Sequence, residues 1–386
     1  MQLLPKTHIT ALISWILMGS VLFGCREPYD PEIEKYENIL VVDGLITNSE
    51  GPNEVILARS YSYEESYGSP EEGAVVVIRD EELNEYLFTE EQPGHYLSGP
   101  GLVGIPGRSY QLFIATSDGE AYESDWVEMR PVPPIDDIQY TFMELPSENN
   151  VQGKYGAQIT VSTHDPENET RYYRYEWLET WEFLTPIVSS FYLNEQRCWR
   201  SSRSDRISIA TTEHLKQDVL SKHPLFTVTT DNNRLKIRYS AMIYQYAMSR
   251  DSYSYWKDLQ EITQNTGSLF DPIPARVEGN IYHLPDAKLP VLGIFQASAV
   301  TSARVFISRE ELPSSIYVPG GFESCNFYTS SDTAEWDQYE AWKFEFVDEY
   351  VDGGTPFRIY TESPVCFRCT FSGTNQRPDY WPWPEN

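Results

Sequence analysis

The chain has 386 residues, with 58 acidic against 29 basic side chains and a formal charge of −29 at neutral pH. A surface this acidic repels phosphate backbones, which excludes nucleic acid as a partner. At 40% hydrophobic and 14% aromatic the chain still has material for buried cores, which excludes disorder as the reason for its charge, and its length suits two or three domains.

Residues 1–24 contain no Asp or Glu. Lys6 and the amino terminus supply positive charge, and an apolar run follows from Ile9 to Phe23. That order is the order of a secretory signal, and the run is short for a membrane span. It ends at Leu22-Phe23-Gly24-Cys25. This pattern resembles the lipobox of bacterial lipoproteins, in which a cysteine after a small residue is acylated and becomes the new amino terminus. Phe23 is bulkier than is usual at its position. The expectation is lipidation at Cys25 and anchoring in a membrane, made durable by several acyl chains. Residues 25–35 follow as an acidic tether spaced by Pro28 and Pro31. Loss of residues 1–24, with Lys6, takes the net charge to about −30.

Residues 36–130 read as a small antiparallel β-domain. Ile39 to Ile46 is a β-rich run, and Val55 to Ala58 follows a Gly-Pro-Asn turn. Val75–Arg79 and Glu85–Phe88 flank a polar turn as a hairpin would. Tyr110–Ile114 and Ala121–Glu123 flank Ser117-Asp118-Gly119, and an Asp-Gly pair favours a tight hairpin. Strands at this spacing with no helical stretch between them predict an immunoglobulin-like β-sandwich. Residues 131–135, opening with Pro131-Val132-Pro133-Pro134, predict an extended linker.

Residues 136–386 predict a larger β-rich domain with one prominent helix. In Tyr173-Arg174-Tyr175-Glu176-Trp177 aromatics alternate with charges, the period of a half-buried strand, and Leu235–Tyr239 repeats it. Ser302–Ser308 is a further strand candidate. Ser249 can cap a helix in which Tyr255, Leu259 and Ile262 form one stripe beside Trp256, with Gly267 as its stop. The stripe reads as helix-to-sheet packing.

Four cysteines remain beyond Cys25: Cys198, Cys325, Cys366 and Cys369. An even count in an exported chain implies two disulfides, with three pairings open. We favour those in which Cys198 and Cys325 each take one of the terminal pair. Closing the long loop is worth on the order of 4 kcal/mol in the simple chain-entropy treatment. A redox Cys-x-x-Cys site lacks the surrounding βαβ pattern, and a zinc site would need scattered ligands.

The tail Cys366-Phe367-Arg368-Cys369, Gly373-Thr374-Asn375 and Arg377-Pro378-Asp379-Tyr380-Trp381 resembles the ending of a Bacteroidota lipoprotein family catalogued as domain of unknown function 4249. Val41-Val42-Asp43-Gly44, Pro134-Ile135-Asp136, Arg238-Tyr239-Ser240 with Gln245, Tyr255-Trp256, Glu278-Gly279-Asn280 and Arg304–Ser308 carry the same resemblance. It implies no catalytic residue. It does imply an outer-membrane lipoprotein facing the cell exterior, beside a TonB-dependent receptor barrel, and the acidic tether is similar to the surface-export signal of such lipoproteins.

The residues select no catalytic or cofactor site. His95, His164, His214, His223 and His283 lack helical metal spacing, and His164-Asp165-Pro166-Glu167-Asn168-Glu169 reads as a surface turn before it reads as a cation site. No nucleophile elbow, phosphate loop or dinucleotide fingerprint is present, so no cofactor is expected. Trp177, Trp181, Trp199 and Trp256 read as core. Tyr380, Trp381 and Trp383, in a tail spaced by prolines, are the candidates for contact with a ligand or partner, because such a tail either pins to the body or docks elsewhere. Asp332-Thr333-Ala334 also resembles a short O-glycosylation motif of Bacteroidota. The expected function is non-catalytic: an accessory that captures substrate for a TonB-dependent transporter. A structural subunit of an export or barrel-assembly complex and a surface glycan or peptide hydrolase are the alternatives.

Overall fold

The computed structural model describes residues 38–60, 68–146, 154–264 and 277–382. Strand accounts for 49% of it, with two helices, so the mainly β class holds. In chain order the first nine strands are β1 (Leu40–Thr47), β2 (Glu54–Arg59), β3 (Ser69–Pro70), β4 (Val75–Asp80), β5 (Glu85–Gln92), β6 (His95–Ser98), β7 (Ser109–Ala115), β8 (Ala121–Ser124) and β9 (Val127–Glu128). Then come β10 (Ile135–Leu145), β11 (Lys154–Asp165), β12 (Tyr172–Leu184), β13 (Arg197–Arg203), β14 (Ser208–Thr211), β15 (Asp218–Thr229) and β16 (Arg238–Ala247). A helix at Arg250–Gln264 precedes β17 (Ile281–His283), β18 (Leu292–Ser298) and β19 (Val300–Ser308). The last elements are β20 (Phe327–Ser330), a helix at Thr333–Ala341, β21 (Glu345–Asp352) and β22 (Thr355–Thr361).

Strands β1 to β9 join β17 and β18 in one continuous sheet, ordered β17-β8-β7-β4-β5-β6-β2-β1-β18, with β3 and β9 as side pairs. Its two edge strands are in contact, so the sheet is barrel-like and nearly closed. Alternate residues point inward, as the two-residue period of a strand requires. Val42 and Ile46 of β1, Val55 and Leu57 of β2, Val76 and Ile78 of β4, and Phe295 of β18 are all buried there. Each such side chain contributes about 1.5–3 kcal/mol. β18 lies parallel to β1, from Val41 opposite Leu292 to Thr47 opposite Ser298. Gly293 has φ 99°, and a Cβ there would collide with the Val42 carbonyl oxygen, so only glycine lets β18 approach this closely.

Behind the barrel, the sheet β10-β11-β15 faces the sheet β13-β12-β16-β19, which carries β14 at its side. Ala157, Ile159 and Val161 pack against Tyr173, Trp177, Trp181, Phe183 and Ile243. Trp177 stacks on Phe226 with ring centroids 4.2 Å apart. Glu179 and Tyr239, both buried in this core, are paired. Tyr239 donates to Glu179 at 2.7 Å, and Arg234 reaches both oxygens of that carboxylate at 3.0 Å. Burial, then the Glu179 charge, hold the Tyr239 phenol well above its usual range. The proline-rich segment is fastened to this unit: the Gln245 amide donates to Pro133 and the Thr163 hydroxyl to Pro134, both at 2.9 Å.

The predicted helix forms, and the Ser249 hydroxyl caps it by accepting from the Ser252 amide at 3.1 Å. It wedges between the two units. Trp256 donates to Gln296 of β18 at 2.9 Å, while the Arg174 guanidinium lies between the rings of Tyr246 and Trp256. Besides the placement of β17 and β18 in the first sheet, two local details differ from the sequence reading. Leu235 ends a 3-10 turn because the Asn232 side chain accepts from the Arg234 amide, so the strand starts only at Arg238. The second helix, Thr333–Ala341, begins where the Asp332 carboxylate accepts from the Ala334 amide at 2.8 Å.

Candidate functional site

The carboxy-terminal segment returns to the outer face of the β13-β12-β16-β19 sheet. Disulfides Cys198–Cys369 and Cys325–Cys366 give Cys198 and Cys325 one terminal cysteine each. Cys198 lies on β13, so the first bridge ties the tail to this sheet. Immediately beyond it Trp199 and Thr374 exchange two backbone hydrogen bonds of 2.9 Å. In the β12/β13 register Glu182 is opposite Trp199 and Thr180 opposite Ser201, and in the β16/β19 register Arg238 is opposite Ser308. Alternation along the strands therefore turns Thr180, Glu182, Arg238 and Ser308 away from the core, toward the tail.

Residues 378–382 lie on that face as a strap. The Tyr380 hydroxyl pairs with the Thr180 hydroxyl at 2.9 Å, and the Arg304 guanidinium lies 3.5 Å from the Tyr380 ring centroid. Trp381 donates its indole N–H to Glu182 at 3.1 Å and meets Trp199 and Phe306 edge to face, at 6.5 and 5.6 Å. Arg238 donates to the Pro382 carbonyl at 3.4 Å.

Beside the strap is a groove of about 930 Å³. Glu182, Arg197, Trp199, Arg238, Ser308, Glu310, Glu311, Arg377, Trp381 and Pro382 line it together with Ile237. Arg197 is committed to Glu182 as an ion pair. Arg238 donates Nε to the Ser308 hydroxyl at 3.2 Å, and the Ser308 amide donates to Glu311 at 2.7 Å. Tyr140 donates to the other oxygen of Glu311. The wall thus mixes guanidinium groups, carboxylates and indole edges. Such a wall can hold a polar, charged ligand by charge-assisted hydrogen bonds.

Of the residues singled out in the sequence, Cys198, Trp199, Cys369, Tyr380 and Trp381 meet here. Trp381 is 3% exposed and packed into the sheet face, whereas Tyr380 is 40% exposed. Cys25 and Trp383 lie outside the described residues. Trp177, Trp181 and Trp199 are buried. The His164–Glu169 stretch is a surface turn in which the Asp165 carboxylate accepts from the amides of Glu167, Glu169 and Thr170. Asp136 pairs with His164 at 2.7 Å and raises its pKa, while burial lowers that of His223. Among the described residues no group of His, Cys, Asp and Glu side chains is placed to hold a metal ion. Arg238, Ser308, Glu310, Glu311 and Arg377 had no assigned role in the sequence reading; Ser308 and Glu311 have the spacing of a capping box, but no local spacing links them to Arg238 or Arg377.

The family described as domain of unknown function (DUF4249) matches residues 26–304, and the chain belongs to that family. No curated protein matches the chain.

Proposed function

We propose, with that family membership as the premise, that the protein is a lipoprotein of the bacterial outer membrane, exposed at the cell surface, that serves a TonB-dependent transporter as a non-catalytic accessory. It captures substrate beside the barrel and holds it near the barrel's mouth. The observation that carries this reading is the groove beside the strap: about 930 Å³, walled by arginine, glutamate and tryptophan, and tied to the body by the Cys198–Cys369 bridge. A site of this size and composition suits reversible capture. Two disulfides suit an exported chain. In this reading acyl chains on Cys25 hold the protein to the membrane, the acidic tether gives it reach, and the barrel-like unit is an immunoglobulin-like spacer.

The test is made on intact cells of the native host. Proteinase added outside should degrade the wild-type protein while periplasmic markers survive, and Cys25→Ser should move the folded chain out of the membrane fraction. Full protection of the wild-type protein in intact cells, or membrane retention of the Cys25→Ser chain, contradicts the proposal.

A further inference from the structure

We infer that the groove beside the strap takes a short peptide with free ends, its carboxylate on Arg238 and its ammonium group toward Glu310 and Glu311. The inference rests on the binding role given to this groove above and adds the class of ligand. The strap is the first support, because it is itself a peptide laid on the same sheet face, turned between Pro378 and Trp381. Arg238 donates to its main-chain carbonyl at Pro382, and Glu182 accepts its Trp381 indole N–H.

Charge is the second support. Arg238 has neutral partners, the Ser308 hydroxyl and the Pro382 carbonyl, and among the described residues no carboxylate lies within 4.0 Å of it. Glu311 also has neutral donors, the Ser308 amide and the Tyr140 hydroxyl. In a chain with 58 acidic and 29 basic residues, a guanidinium with no carboxylate beside it among the described residues is a place where a ligand's carboxylate gains most. Cation and anion stand on either side of one serine, so the groove offers both signs to a zwitterion.

The third support separates peptide from saccharide. Sugars dock on open aromatic faces, yet Trp199 and Trp381 are 7% and 3% exposed and are packed edge to face. Beside its apolar surface the groove presents hydrogen-bonding and charged groups, which match peptide ends and carbonyls.

The test titrates the mature, disulfide-bonded protein with an equimolar mixture of unblocked tetrapeptides, with the same mixture acetylated and amidated, and with maltotetraose. Binding is followed by calorimetry. The unblocked peptides should bind at least about tenfold more tightly than the blocked ones. Arg238→Gln should weaken them by about tenfold or more, and Glu310→Gln, at an exposed position, should weaken them without altering the melting curve. Equal affinity for blocked and unblocked peptides, preference for the saccharide, no binding of any probe, or indifference to both substitutions overturns the inference. Co-purification with a barrel is scored separately on the same preparations. A barrel retained without peptide binding sinks this inference and leaves the accessory role standing.

Discussion

Replacing Trp381 with alanine should release the strap while leaving the body folded. Trp381 is 3% exposed, bonds to Glu182 and packs on Trp199 and Phe306. Truncating a buried tryptophan costs about 3–5 kcal/mol when its surroundings stay in place. What else holds residues 378–382 is modest: Tyr380 with Thr180 and Arg304, and Arg238 with Pro382. A hydrogen bond of this kind contributes about 1 kcal/mol and a cation–π contact about 0.5–2 kcal/mol, against an ordering entropy of about 1–2 kcal/mol per residue. The strap therefore detaches. The body keeps its core and the Cys198–Cys369 bridge, which precedes the strap in the chain, so the melting temperature changes little. Hydrogen exchange is the assay. The Trp381 amide, which donates to Pro378, should exchange about 100-fold faster or more in W381A, while amides of β12 and β16 stay protected. Peptide binding should fall with it, because Trp381 and Pro382 are part of the groove wall. Unchanged protection of the strap, or loss of protection across the whole body, refutes this reasoning.

Three further predictions concern the fold. Gly293→Ala should destabilise the barrel by about 3 kcal/mol or more, because the added Cβ meets the Val42 carbonyl at a positive φ; a melting curve that matches wild type contradicts the placement of β18. Replacing both Cys198 and Cys369 with alanine should cost about 5 kcal/mol and replacing Cys325 and Cys366 about 4 kcal/mol, the order following the loop lengths of 171 and 41 residues; denaturant melts giving the reverse order contradict it. Glu195 accepts from Arg368 at 2.8 Å and Thr370 at 2.6 Å, and these bonds, Arg368 first, hold its carboxyl below the usual range. Its stabilisation is present at neutral pH and is lost as pH falls through that lowered value, so Glu195→Gln should cost about 1–2 kcal/mol at pH 7 and progressively less in acid. A deficit that persists unchanged at pH 3 argues against this pairing.

Much of the fold was legible because its signals are local. The β4/β5 and β7/β8 hairpins follow from alternating runs around short polar turns, and the Arg250–Gln264 helix from its serine cap and apolar stripe. β17 and β18 were not legible. Their pairing with β8 and β1 joins residues far apart in the chain, and no turn signal marks such a contact. The Thr333–Ala341 helix lacks an apolar stripe, although Asp332 followed by Glu335 is a start signal of the capping-box kind. At the site, Tyr380 and Trp381 stood out by type and by the prolines around them. Arg238, Ser308 and Arg377 lie in stretches that carry the family resemblance, but only sheet register and the returning tail bring them to one groove.

The most direct test of the proposed role is recovery of the tagged, lipidated protein from its host's outer membrane in mild detergent, with its partners quantified by mass spectrometry. One TonB-dependent barrel is expected in fixed ratio, recovered equally with wild type and with Arg238→Gln. Recovery of intact, lipidated protein with no barrel, or with export or assembly machinery in its place, contradicts it.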